Sequence, residues 1–265
     1  MTRIAVLGGG VMGEALIIGM QRRVHPAPSI VVAEKLPERR DELVRRLGVE
    51  AADPAQAVRG AEVVILVVKP QDIRSLLAEV GGSVGRGALV VSIAAGIPTH
   101  VIEEALPHAH VVRAMPNTPA RIECGLTGIS AGASCDPDHL DRARALLGAL
   151  GTVVEVPESQ QDAITSVSGS GPAYLFYLAE AMISGAIEGG IDPVQAREIV
   201  VQTLLGSAQL MQVSDDPPEV LRAKVTSPGG TTAAAVAVFD DRGIKDALVE
   251  GIAAARRRGR ELSSG

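Results

Sequence analysis

Arg3-Ile4-Ala5-Val6-Leu7-Gly8-Gly9-Gly10-Val11-Met12-Gly13 is the stretch that decides the fold. Five residues able to form a buried strand run directly into G-x-G-x-x-G, and an amphipathic run, Glu14 to Arg23, follows. Strand, glycine turn and helix in that order open a dinucleotide-binding βαβ unit. Gly8 permits the tight turn, Gly10 lets the backbone approach a pyrophosphate, and Gly13 lets the helix pack on the strand. Val11 and Met12 start the helix whose free N–H groups would hold the phosphates. The alternative is a glycine-rich turn without a ligand.

Outward from this turn, Ser29 to Ala33 reads as a second strand and ends at Glu34, where such a unit places its ribose-reading side chain. An acid there accepts hydrogen bonds from a 2′-hydroxyl and repels a 2′-phosphate. Lys35, Arg39 and Arg40 follow at once and would attract that phosphate; equally, Arg39 and Arg40 are the solvated face of a helix, Pro37 to Leu47. Glu62 to Val68 is apolar throughout, as a strand covered on both faces should be. It ends at Val68-Lys69-Pro70, with Lys69 at the carboxyl end where doubly wound sheets bind ligands. Leu89 to Ile93 repeats the pattern and opens into Ala94-Ala95-Gly96, small enough for close approach by a ribose or nicotinamide. Strands at His110 to Met115, Leu126 to Ala131 and Thr152 to Val156, with a helix from Pro137 to Leu150, complete an α/β domain over residues 1–157.

From residue 158 to 265 clear strands stop and alanine-rich helical patterning takes over. Ser168-Gly169-Ser170-Gly171-Pro172 breaks that pattern and launches a helix from Ala173 to about Glu188, with Ser170 at its N-cap. Tyr174, Phe176 and Tyr177 sit at its start, either lining a pocket or packing in a core. Asp192-Pro193 caps a helix running to about Val213, and a last helix spans Ile244 to about Leu262. Between them, Thr226-Ser227-Pro228-Gly229-Gly230-Thr231-Thr232 is a second glycine-rich loop before a helix, Ala233 to Phe239, and so a second anion site, suited to a carboxylate.

Composition narrows the function. The chain is 46% hydrophobic but only 2% aromatic, so its cores are built from Ala, Val, Leu and Ile, which suit helix-on-sheet layers. A net charge of −6 argues against nucleic acid as a partner. No apolar run reaches the ~20 residues that span a bilayer, and no signal peptide precedes the first strand, so no membrane is involved and a cytoplasmic location is expected. Cys124 and Cys135 are too few for a disulfide framework, and His108 and His110 lack acidic or thiol partners at ligand spacing, so no metal is expected.

Taken together these motifs resemble the pyrroline-5-carboxylate reductase family over the whole chain. The glycine fingerprint and Val68-Lys69-Pro70 look like its cofactor site, and Arg113-Ala114-Met115-Pro116-Asn117-Thr118-Pro119 looks like its mid-chain loop, adding Asn117 to the cofactor residues. Ser168 to Ala173 and Thr226 to Thr232 are similar to its two C-terminal motifs. The resemblance implies a Rossmann-type doubly wound sheet followed by an all-helical dimerisation domain, and reduction of 1-pyrroline-5-carboxylate to L-proline by NADPH, with NADH as the alternative. It also implies an intertwined homodimer, assembled in many members into a decamer, a ring of five dimers, whose active site lies between one Rossmann domain and the partner's helices. Lys224 departs from the asparagine of many members just before the last motif.

For the chemistry, Thr232 is the candidate to hydrogen-bond the imine nitrogen. Ser227 and the amides of Gly229, Gly230 and Thr231 would hold the substrate carboxylate, with Ser168 and Ser170 as further substrate contacts. A plain helix N-cap made by Thr231 or Thr232 is the alternative. Two rival functions remain at this point. A β-hydroxyacid dehydrogenase or imine reductase shares the two-part layout, but the hydroxyacid enzymes need a lysine on the interdomain helix, and Ala173 to Glu188 has none. A non-catalytic NADPH sensor would need no second anion loop.

Overall fold

The computed structural model describes residues 2–264, with side chains to residue 261. Two compact units are present: one runs to Ser170 and takes in the chain from Ala255 on, and the other is Gly171–Ala254.

The first unit is built on an eight-stranded sheet in the order β3-β2-β1-β4-β5-β6-β7-β8. Its strands are β1 (Arg3–Leu7), β2 (Ser29–Ala33), β3 (Glu50–Ala51), β4 (Val63–Leu66), β5 (Leu89–Ser92), β6 (His110–Pro116), β7 (Gly125–Ala131) and β8 (Gly151–Glu155). All neighbours are parallel except β6 and β7. The helices of this unit are α1 (Val11–Arg23), α2 (Pro37–Leu47), α3 (Pro54–Ala57), α4 (Ile73–Val80), α5 (Thr99–Ala105), α6 (Pro137–Leu147) and α7 (Gln161–Ile164).

Alternation along each strand makes the layers. In β1, Ile4 and Val6 face one side, where they pack with Leu16, Ile17 and Met20 of α1, Leu43 of α2 and Leu147 of α6. Ala5 and Leu7 face the other side, with Ala57 of α3, Ile73 and Leu77 of α4 and Ile102 of α5. Helices therefore cover both faces, which is why the central strands are apolar throughout. The chain runs outward in one direction from β1 and in the other from β4, so the strand order reverses between them. A crevice at their carboxyl ends follows from that reversal.

The second unit comprises α8 (Gly171–Glu188), α9 (Pro193–Val213), α10 (Pro218–Lys224), α11 (Thr231–Asp241) and most of α12 (Ile244–Ser264). Asp192 caps α9 as expected, its carboxylate accepting from Val194 N–H at 2.9 Å. Ser170 does not cap α8. Its backbone is already helical (φ −86°, ψ −20°), because the segment Thr165–Gly169 is a π-helical stretch that continues α7. Among the described residues of this unit only Ala196 and Val200 are buried. Phe176 is 65% and Tyr177 77% exposed, so in the single chain these aromatics neither line a closed pocket nor form a core.

No helix among the described residues is long and apolar enough to cross a membrane.

Candidate functional site

The glycine turn has the geometry that its spacing implies. Gly8 has φ +117°, and a Cβ there would stand 2.5 Å from the Val67 carbonyl oxygen. A Cβ on Gly13 would stand 2.1 Å from the Gly8 carbonyl oxygen, so α1 starts in direct contact with the turn. At Gly10 a Cβ would meet nothing within 4 Å. That open volume lies in a cleft of about 610 Å³ lined by Leu7 at the end of β1, Gly8 and Gly10 of the turn, Ala33 at the end of β2 with Glu34 to Leu36 beyond it, and Val67 to Lys69 after β4. Gly10 is also the N-cap of α1 and brings no side chain to the first-turn N–H groups. A dinucleotide pyrophosphate fits this cradle: the space is left by glycine and the donors are backbone amides.

The part of the cleft that follows β2 shows a division that sequence does not. Glu34 turns its carboxylate back onto the loop, accepting from Gly9 N–H at 2.8 Å and from Leu36 N–H at 2.9 Å. Arg39 points away from the cleft, donating to the Gly9 carbonyl at 2.9 Å, to Glu42 at 2.7 Å and to Glu14. These carboxylates hold its guanidinium pKa above the ordinary value. Arg40 and Lys35 do line the cleft, with Lys35 3.9 Å from Asp72. Of the three cations that follow Glu34, two face the cleft and one is committed to the protein.

A second, smaller cleft of about 280 Å³ adjoins the same strand ends and is lined by Met12, Val67 to Pro70, Ile93, Ala95, Met115 and Pro116. Val67, Val68 and Lys69 line both clefts. Ala94 is buried, and Gly96 takes a left-handed φ of +75°. Asn117 sits at the end of β6 with both amide atoms engaged. Its Nδ2 donates to Ser168 Oγ at 3.1 Å and its Oδ1 accepts from Leu126 N–H at 2.9 Å, so it fixes Ser168 as well as the start of β7. Gly169 lies close to Met115 of the smaller cleft, so the π-helical stretch borders it.

Residues that sequence reading missed cluster at the larger cleft: Ala52 and Asp53 before α3 and Pro54 at its start, Gln71 and Asp72 after Pro70, and Leu76 and Glu79 of α4. For Leu76 and Glu79 the signal was the helical spacing of Ile73, Leu76, Leu77 and Val80. Arg113, named only within a motif, is buried against Glu158 at 3.4 Å, and Glu158 also accepts from the Thr99 hydroxyl at 2.8 Å. His108 Nε2 meets the Val84 carbonyl at 3.0 Å, and His110 stacks on His139 with ring centroids 3.7 Å apart. Burial raises the Cys135 thiol pKa above its ordinary value.

In the second unit the Thr226–Thr232 loop leads into α11, whose N-cap is Gly230 (φ −81°, ψ 171°) with no capping side chain. Neither Thr231 nor Thr232 is the cap; both stand inside the first turn, because the loop spends Gly230 N–H on the Ser227 carbonyl at 3.0 Å and enters the helix directly. Gly229 makes the turn at φ +71°. The amides left to face a carboxylate are therefore those of the first turn rather than that of Gly230. Lys224 is paired with Asp216.

A family model described as pyrroline-5-carboxylate reductase dimerisation matches residues 158–262. One described as NADP oxidoreductase, coenzyme F420-dependent, matches residues 3–96. The pyrroline-5-carboxylate reductase of Synechocystis sp. is 41% identical, over 98% of this chain and 98% of its own length. That of Mycobacterium tuberculosis is 37% identical, over 99% of this chain and 97% of its own length. Among solved structures, a pyrroline-5-carboxylate reductase from Coxiella burnetii matches with a TM-score of 0.92 at 33% identity, covering 99% of this chain and 98% of that one.

Proposed function

The chain belongs to the pyrroline-5-carboxylate reductase family, and from that premise we propose how its residues divide the reduction of 1-pyrroline-5-carboxylate to L-proline, the last step of proline biosynthesis. The enzyme uses NAD(P)H, which supplies the hydride. The pairing of a glycine-cradled nucleotide cleft with a second glycine loop at a helix N-terminus carries the reading, because an imino acid needs a carboxylate site as well as a hydride donor.

Gly8, Gly10, Val11, Met12 and Gly13 hold the pyrophosphate. Glu34 and Lys35 meet the adenosine ribose, and Val68, Lys69, Pro70 and Ala94 to Gly96 follow the dinucleotide toward its nicotinamide end. Asn117 acts through Ser168, whose hydroxyl it orients. Ser227, with the first-turn amides of α11 from Thr231 on, binds the substrate carboxylate, the Gly230 amide being held by the Ser227 carbonyl; Ser168 and Ser170 are further substrate contacts. A cyclic imine is basic enough to bind already protonated, so the protein's task is orientation. Thr232 hydrogen-bonds the ring nitrogen as the C=N carbon accepts hydride, the C=N π electrons pass to nitrogen, and the iminium becomes an amine. No metal enters this scheme.

Cofactor choice is a test of the ribose end. Glu34 opposes a 2′-phosphate while Arg40 and Lys35 attract one, so both coenzymes should work. The ratio of kcat/KM for NADPH and NADH should stay within about 10³-fold, or ~4 kcal/mol. A larger ratio would show that one of the two charge effects is absent.

The protein is a homo-oligomer, and we propose a homodimer as its smallest stable form, the ring of five dimers being the larger assembly and the cytoplasm its location. A helical unit that buries so few of its own side chains lacks a core of its own. Light scattering at micromolar concentration should give a dimer or a multiple of it; a stable, active monomer would sink the proposal.

A further inference from the structure

We propose that Arg39 is a positioning residue for the dinucleotide: it holds the Gly8–Gly10 loop from behind and cancels the charge of Glu14, so that a pyrophosphate meets only backbone donors. The proposal rests on the larger cleft being the dinucleotide site.

The Gly9 peptide is gripped at both ends. Its N–H donates to Glu34 at 2.8 Å and its carbonyl accepts from Arg39 Nε at 2.9 Å. Gly8 N–H is fixed in turn to the Ala33 carbonyl at 2.8 Å. Glu14 lies in the first turn of α1, with its side chain only 18% exposed. An unpaired carboxylate there would repel a phosphate through a medium that screens it poorly. It is not unpaired. Arg39 Nη2 bonds it on one side, and Arg46 Nη2 reaches it at 2.9 Å on the other. Glu42 closes the circuit, accepting from Arg39 and Arg46 at 2.7 Å each. Two arginines and two glutamates thus form a neutral ring joining α1 to α2, and only Arg39 also touches the glycine loop. A loop already in its bound shape pays no ordering cost when the ligand arrives.

This role differs measurably from that of a 2′-phosphate reader. ADP-ribose carries the pyrophosphate but no 2′-phosphate, and it can be titrated calorimetrically against the full-length protein without turnover. For Arg39→Met we expect the Kd for ADP-ribose to rise about 10- to 100-fold. The KM for NADH and for NADPH should rise by that same factor, with kcat at saturation unchanged. Arg39→Lys keeps the charge without the fork and should fall between. Adding Glu14→Gln to Arg39→Met should recover part of the loss by removing a carboxylate that Arg46 alone would then neutralise only in part, since Arg46 also serves Glu42. Should Arg39→Met not fold, Arg39→Lys alone and with Glu14→Gln gives the same comparison. A rise confined to NADPH would make Arg39 a 2′-phosphate reader and overturn the proposal, and so would an unchanged Kd in variants whose wild type binds. A wild type that binds no ADP-ribose overturns the reading of the cleft and the proposal with it.

Discussion

Replacing Thr232 by alanine is expected to lower kcat for 1-pyrroline-5-carboxylate by about 10- to 10³-fold, because its hydroxyl donates to the lone pair that forms on nitrogen as hydride reaches the carbon, a contact that strengthens toward the transition state. Cofactor affinity should hardly change. Since Gly230 occupies the N-cap of α11 and no side chain caps that helix, the substitution removes no cap. The melting temperature of Thr232→Ala should therefore stay at the wild-type value, which separates a catalytic loss from a folding loss. Thr232→Ser keeps the hydroxyl and should retain most activity. Wild-type turnover in the alanine variant would retire Thr232 as a catalytic residue and move the search to Ser168 and Ser170.

The second large effect concerns Gly13. The Cβ of Gly13→Ala would stand 2.1 Å from a backbone oxygen, that of Gly8, and no rotamer change can relieve a backbone contact. Helix α1 must move away from the turn, carrying its first-turn amides out of register with the pyrophosphate. We expect NADPH affinity to fall about 100-fold and stability to drop by roughly 1–3 kcal/mol, as overpacking does. Fluorescence titration and thermal melting measure the two. Gly10→Ala is the informative contrast, since its Cβ meets no protein atom within 4 Å. It should leave the melting temperature alone yet still weaken cofactor binding, because the methyl group occupies ligand space. Wild-type affinity and melting temperature in Gly13→Ala would contradict the close packing of α1 on the turn.

Much of this architecture was legible. Strands β1 and β2 and helices α2 and α9 match their sequence reading, because alternation, proline and aspartate act locally. Strand β3 was not seen: two residues, Glu50–Ala51, are too short to show a pattern and are defined only by pairing with β2. The antiparallel turn of β7 was overlooked although the chain signalled it. The connection over 117–124 is too short for a helical crossover, and parallel neighbours need a dozen or more residues. Ser168 to Pro172 reads as a break because glycine and proline are poor helix formers, whereas the backbone keeps helical bonding through a wider π turn that propensity does not encode. At the site, Arg39 and Arg40 look alike in sequence. Successive residues point about 100° apart on a helix, and only the packing of α2 against α1 decides which reaches the glycine loop and which the cleft.

The helical unit, with Ala196 and Val200 as its only buried side chains among the described residues, has a consequence for the life of the chain as well as its assembly. A newly made subunit shows water the apolar surface that Leu175, Phe176, Val213 and Val249 present, and in the proposed dimer that surface is hidden only when another copy arrives. Its survival is then set by encounter rate. At low expression an orphan subunit waits longer in the form that chaperones bind and proteases cut, so enzyme level should rise more steeply than synthesis rate does.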